Sequence, residues 1–149
     1  MAYAKTSLAV ALLSFDASSG SFSVHTMIQA PTVLIVHDDL TVLARLSARL
    51  KGRAEVSTAT TFGEAKAILT ATPPTVLITG VRLGQYNGLH LIIRSRVDHP
   101  ATVAIVIAEG VDAVLEQEAR KNGAACLSYP AQDEKLLSLV AEAISRSGV

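Results

Sequence analysis

Two adjacent carboxylates, Asp38 and Asp39, follow His37 directly after the apolar run Val33-Leu34-Ile35-Val36. Paired carboxylates at a strand end are oxygen donors for a hard divalent cation, and an imidazole beside them adds a ligand or a pH-sensitive group. Each residue also has a plainer role. Asp39 is of the right type to cap a following helix, and Asp38 reads as a solvated strand-end charge. With no Cys and no second His at ligand spacing nearby, His37 reads as a hydrogen-bonded strand-end residue rather than a metal ligand. Mg²⁺ demands a near-octahedral oxygen shell, so Asp38 and Asp39 alone make a weak, partial site expected to stand unoccupied.

Other chemistry-bearing patterns are sparse. Gly80, Gly84 and Gly88 recur at intervals of four without the Lys-Ser/Thr of a phosphate-binding loop, which makes them turn residues. No G-x-G-x-x-G follows the first apolar run, which argues against a dinucleotide, and neither G-x-S-x-G nor H-E-x-x-H occurs. The single cysteine, Cys126, lies in the run Ala124-Ala125-Cys126-Leu127. It excludes an internal disulfide and reads as a small core residue. Arg94 and Arg96 read as a solvated helical face, not a nucleic-acid patch. Tyr86 and Tyr129 suit either a core rim or an anchor for a partner.

The elements that must carry these residues alternate in period from residue 32 onward. Residues 33–36 form a run of strand length suited to burial on both faces. Asp39 then caps a helix with the stripe Val42, Leu43, Leu46 and Leu50, stopped by Gly52. Residues 54–58 read as a second strand. Thr61-x-x-Glu64 is a capping box before Ala65, Ile68 and Leu69. Pro73-Pro74 ends that helix and leads into a strand over 75–79. Leu89, Ile92 and Ile93 mark a third helix closed by His99-Pro100, and 102–107 is a fourth strand. Val111, Val114, Leu115 and Ala119 mark a fourth helix ending near Asn122-Gly123. Residues 124–128 form the fifth strand, and Leu136, Leu137, Val140 and Ile144 face inward from a terminal helix. Such alternation calls for right-handed crossovers and a parallel sheet covered on both faces, a three-layer α/β doubly wound fold.

In an open parallel sheet, functional groups gather outside the carboxyl ends of the strands. That edge collects His37, Asp38 and Asp39 after the first strand, Gly80 after the third, Ala108 after the fourth and Tyr129 after the fifth. Thr79 alternates with Gly80 and is expected to point away from it.

The pattern over residues 31–146 resembles the receiver domain of two-component response regulators. Its markers are the acidic strand end, Val81-Arg82-Leu83 after the third strand, Asn87-Gly88 at the third helix, and Tyr129-Pro130. The resemblance implies a (βα)5 flavodoxin-like fold with strand order 2-1-3-4-5. It also implies an acidic pair holding Mg²⁺ beside an acceptor Asp, a Ser or Thr that hydrogen-bonds the phosphoryl oxygens, and a Lys that neutralises them. Matched residue by residue, the first acid is His37, the second is Asp38, and Asp39 is a frequent third. The acceptor is Gly80, the hydroxyl position is Ala108 and the Lys position is Tyr129. A residue without a side chain cannot be a phosphoryl acceptor. The expected reading is a degenerate, stand-alone receiver with no intact catalytic group, no cofactor and weak or absent Mg²⁺ binding. It would act as a protein-interaction module rather than an enzyme, with a histidine kinase or another signalling protein as partner. Tyr129, Glu134 and Lys135 are its expected contacts, and monomer and homodimer both remain open. The alternatives are an active phosphorelay receiver that uses Asp38 or Asp39, and a flavodoxin-like small-ligand binder.

Composition bounds these readings. The chain has 149 residues, half of them hydrophobic, enough for one domain with a real core. Lys plus Arg equals Asp plus Glu at 13 each, so no global field draws the protein to nucleic acid or anionic membrane. No apolar stretch approaches the roughly 20 residues of a membrane span. Residues 8–13 faintly suggest a signal peptide, but the run is short, is broken by Ser14 and lacks an A-x-A site, so a cytoplasmic location is expected. Residues 1–30 fall outside the receiver pattern and form an N-terminal extension, with residues 31–149 as the receiver-like domain. The stretches 8–15 and 21–28, separated by the turn signal Asp16-Ala17-Ser18-Ser19-Gly20, can pair as a hairpin docked on the domain. Alternatively a chain starting at Met27 has the usual receiver length, and the upstream residues have no fixed structure.

Overall fold

The structure, a computed structural model, describes residues 11–16, 21–26, 30–110 and 112–147. Strands β1 (Ala11–Asp16) and β2 (Ser21–Thr26) pair antiparallel, with Leu13 opposite Val24 and Phe15 opposite Phe22. Apart from Asp16, this pairing falls within the stretches 8–15 and 21–28 that the sequence offers as one of its two alternatives for the N-terminal extension. The outer residues 8–10, 27 and 28 of those stretches, the turn residues 17–20 and the candidate start Met27 lie outside the described residues, as does the helix marker Val111.

The main sheet contains β3 (Thr32–Val36), β4 (Glu55–Ala59), β5 (Val76–Gly80), β8 (Val103–Ala108) and β9 (Ala125–Ser128). All four pairings are parallel and the order is β4-β3-β5-β8-β9. This is the doubly wound 2-1-3-4-5 arrangement of the flavodoxin-like receiver fold. Helices α1 (Leu40–Leu50), α2 (Phe62–Ala71), α3 (Leu89–Asp98), α4 (Ala113–Lys121) and α5 (Asp133–Ser147) are the crossovers and the terminal cover. A short hairpin, β6 (Arg82–Leu83) with β7 (Tyr86–Asn87), links β5 to α3.

Because side chains alternate along a strand, the continuous apolar runs supply two cores. On one face Val33, Ile35, Val76, Ile78, Ile105 and Ile107 meet Leu43, Leu46 and Leu50 of α1 and Leu136, Val140 and Ala143 of α5. On the other, Leu34, Val36, Leu77 and Val106 meet Ala65 and Leu69 of α2, Leu91 and Ile92 of α3, and Leu115 and Ala119 of α4. Each fully buried Leu, Ile or Val stabilises the fold by about 1.5–3 kcal/mol before entropy is counted.

The structure decides which way two helices face. Ile93 and Val114, which the sequence names only as markers of their helices, are 42% and 72% exposed. The inward stripe of α3 is Leu91, Ile92 and Ser95, and that of α4 is Leu115 and Ala119. Each exposed residue lies one position, about 100° of helical rotation, off its buried stripe. The α2 cap is also shifted. Thr61 Oγ1 accepts from Glu64 N–H at 3.1 Å, but Glu64 Oε1 accepts from the N–H and hydroxyl of Thr60, at 2.9 and 3.0 Å, rather than from Thr61. Those bonds hold the Glu64 carboxyl below the usual Glu range.

Candidate functional site

The carboxyl ends of the central strands meet at one edge because the ladder runs unbroken: Val36 lies opposite Thr79, Gly80 opposite Ile107, and Ala108 opposite Ser128. Around it the structure assembles His37, Asp38, Asp39, Gly80 and Ala108. It turns Tyr129 elsewhere.

Asp39 is the N-cap of α1, and its Oδ1 accepts from Thr41 N–H at 2.8 Å. Asp38 is about half exposed, with Oδ1 3.5 Å from His37 Nδ1. His37 Nδ1 accepts from Asp39 N–H at 3.0 Å, which places the neutral ring's proton on Nε2. The same ring packs on Gly80. A Cβ built on Gly80 would lie 2.8 Å from His37 Cδ2 and 3.1 Å from Nε2. Sequence reasoning treated these positions as separate losses and missed that a ring at one stands beside missing atoms at the other. The only signal was their opposite sizes at neighbouring strand ends.

Those contacts answer whether Mg²⁺ fits. Gly80 offers no oxygen from a side chain, one Asp39 oxygen is engaged in the cap, and His37 occupies the space beside Gly80. Among the described residues no group of three His, Cys, Asp or Glu side chains is placed to hold a metal ion. The residues present do not fit the octahedral oxygen shell of that cation.

Thr79 is fully buried and its hydroxyl donates to the Gly80 carbonyl at 2.9 Å. Gly88 closes the floor: its N–H donates to Val81 O at 2.6 Å, and a Cβ there would overlap the Gly80 carbonyl oxygen. Asn87 Oδ1 accepts from Leu89 N–H at 2.8 Å and starts α3. Tyr86 remains half exposed but stacks on Phe62, with centroids 4.7 Å apart.

Ala108 contributes its backbone alone, its carbonyl accepting from Tyr129 N–H at 2.7 Å. Tyr129, expected as a surface anchor, is only 6% exposed and belongs to the buried cluster that includes Leu43, Leu46 and Leu136. The physical reason is the pleat: residue 129 continues the alternation that puts Leu127 on the α1/α5 face. Its hydroxyl is buried without a partner. Burial pushes the phenol pKa above its usual value, Asp133 adds to that, and Arg45 and Arg49 oppose it. Glu134 and Lys135 are exposed on the first turn of α5. Arg49 bridges Asp133 and Glu134 at 3.1 and 3.3 Å, a surface arrangement that contributes little to stability.

No protein-family model matches the chain, and no curated protein matches it. Solved structures do. A CheY-like response regulator receiver domain protein from Methanospirillum hungatei JF-1 superposes with a TM-score of 0.73 at 21% identity, over 80% of this chain and 97% of that one. The signal receiver domain of a putative Luxo repressor protein from Vibrio parahaemolyticus gives 0.72 at 19% identity, covering 79% and 92%. The beryllofluoride-activated NtrC4 receiver domain, solved as a dimer, gives 0.71 at 26% identity, covering 78% and 98%. The architecture is that of response regulator receiver domains.

Proposed function

We propose that this protein is a signalling module of receiver architecture that works by binding a protein partner, without phosphorylation and without catalysis. The observation that carries the reading is Gly80 at the end of β5, where the matching position of a working receiver needs a carboxylate nucleophile. Ala108 at the end of β8 lacks the hydroxyl that would respond to a phosphoryl group, so phosphate has no handle with which to shift the population of states. Asp38 and Asp39 are poor substitutes. One is half exposed beside His37 and the other caps α1.

The partner surface in this reading consists of α4, the open edge of β9 and the start of α5, including Glu134 and Lys135. With Tyr129 in the core, Val114, 72% exposed on α4, is the large exposed apolar group this surface offers among the described residues. Within the described residues no helix is long and apolar enough to cross a membrane. The test is incubation with a small phosphodonor and Mg²⁺, read by intact mass. An unchanged mass is expected. A stoichiometric, acid-stable and base-labile phosphate adduct would overturn the proposal.

A further inference from the structure

The contact between His37 and Gly80 carries a consequence beyond the missing acceptor. Three atoms of the imidazole, Cδ2, Nε2 and Cγ, lie 2.8, 3.1 and 3.4 Å from where a Cβ of residue 80 would stand. A Cβ under 3 Å from another carbon forces something to move. The ring is not a free rotor: Nδ1 holds the Asp39 N–H at 3.0 Å, in the turn whose Asp39 side chain caps α1. The His37 side chain is 21% exposed. Moving it breaks a hydrogen bond that water replaces only in part.

We infer that His37 fills the space from which a side chain at position 80 would start, so that His37 and Gly80 form one coupled pair and the edge is closed to a divalent cation by an occupant as well as by a missing ligand. This rests on the reading of the edge as a former acceptor site. It follows that restoring the carboxylate alone does not restore cation binding. The new Asp would meet an imidazole where a third carboxylate is needed. Removing the ring and supplying an acid at position 37 at the same time opens the space and completes an oxygen-donor set with Asp38. Neither Ala108 nor Tyr129 enters that set, because Ala108 has only a methyl side chain and the Tyr129 ring lies in the core.

The experiment uses the full chain as wild type, Gly80→Asp, His37→Asp and the double variant, with thermal midpoints measured in EDTA and across a Mg²⁺ titration. A ligand that binds only the folded state raises the midpoint with its concentration. A Mg²⁺-dependent rise is expected in the double variant and not in wild type or in Gly80→Asp. An equal rise in Gly80→Asp alone, or none in a folded double variant, overturns the inference. A second cycle, Gly80→Ala and His37→Ala singly and together in urea, reads the packing without metal. Gly80→Ala should lower the midpoint with His37 present and not with His37→Ala. The same effect in both backgrounds overturns the coupled pair. This cycle involves no phosphodonor, so its failure is distinct from a failure of the proposed function, which the mass measurement on wild type decides.

Discussion

Replacing Tyr129 by Phe removes one oxygen that is buried and has no hydrogen-bond partner. In the unfolded chain that hydroxyl is hydrated, and folding strips the water without replacing it, at a cost of about 1–3 kcal/mol by mutational comparison. The vacated space is that of one hydroxyl, which at about 24 cal/mol per Å³ costs only a few tenths of a kcal/mol. The ring keeps its place in the buried cluster that includes Leu43, Leu46 and Leu136. Tyr129→Phe should therefore stabilise the domain by about 1 kcal/mol, whereas most substitutions destabilise. Tyr129→Ala, which empties the ring's place in the core, should cost about 3–5 kcal/mol. Urea unfolding followed by far-UV circular dichroism measures both, and an unchanged slope shows that the midpoint shift is a change in stability. Alkaline pH gives an independent check. The folded phenol pKa is raised, so as pH climbs past about 10 the unfolded state loses this proton first. Wild-type stability should then fall in that range, and the fall should be smaller in Tyr129→Phe. A Phe variant less stable by more than about 1 kcal/mol would refute the reasoning, because it would mean that the hydroxyl has a partner. Asp133 Oδ1, also buried and unpartnered, is the group to examine in that event.

Gly88→Ala should destabilise by about 3 kcal/mol or more in the same assay, because its Cβ would meet backbone rather than a movable side chain. Ser95→Ala removes another buried hydroxyl with no partner and should be neutral or stabilising by up to about 1 kcal/mol. Burial first, then Glu116 and Asp112, raises the Cys126 thiol pKa, so alkylation at pH 8 should be slower than for a free cysteine; an equal rate would contradict that environment. Glu64, with its pKa lowered by Thr60, contributes stability above its unfolded pKa that is lost as pH falls through the folded one. Glu64→Gln should accordingly flatten the acid limb of a stability–pH curve. Deleting residues 1–26 should leave a cooperatively folding domain, since the five-stranded sheet begins at Thr32; a loss of several kcal/mol would show that the hairpin fills part of the core.

The sheet and its helices were legible because their signals are local and repeated. Apolar runs of strand length, the Asp39 and Thr61 caps, and Gly52 and Gly123, both at positive φ, each act within a few residues and agree with one another. The amphipathic stripes were legible to within one position. Whether Ile93 and Val114 face in or out was not legible, because a short helix with three adjacent apolar residues, or two, can roll by 100° without changing its pattern. Only the packing partners decide the roll. For the same reason the sequence placed Tyr129 at the strand tip but not on which side of the sheet its ring would lie.

At the candidate edge the division is sharper. That Gly80 has no carboxylate and Ala108 no hydroxyl is determined by residue identity alone, and no tertiary structure can supply the missing atoms. That parallel strands would bring positions 37, 80 and 108 to one edge followed from alternation and handed crossovers. What only the folded structure decided is the contact between His37 and Gly80, 43 positions apart in the chain. Nothing local records it, because the distance between two strand ends is set by the β3–β5 register and the direction of the ring by a backbone N–H at Asp39.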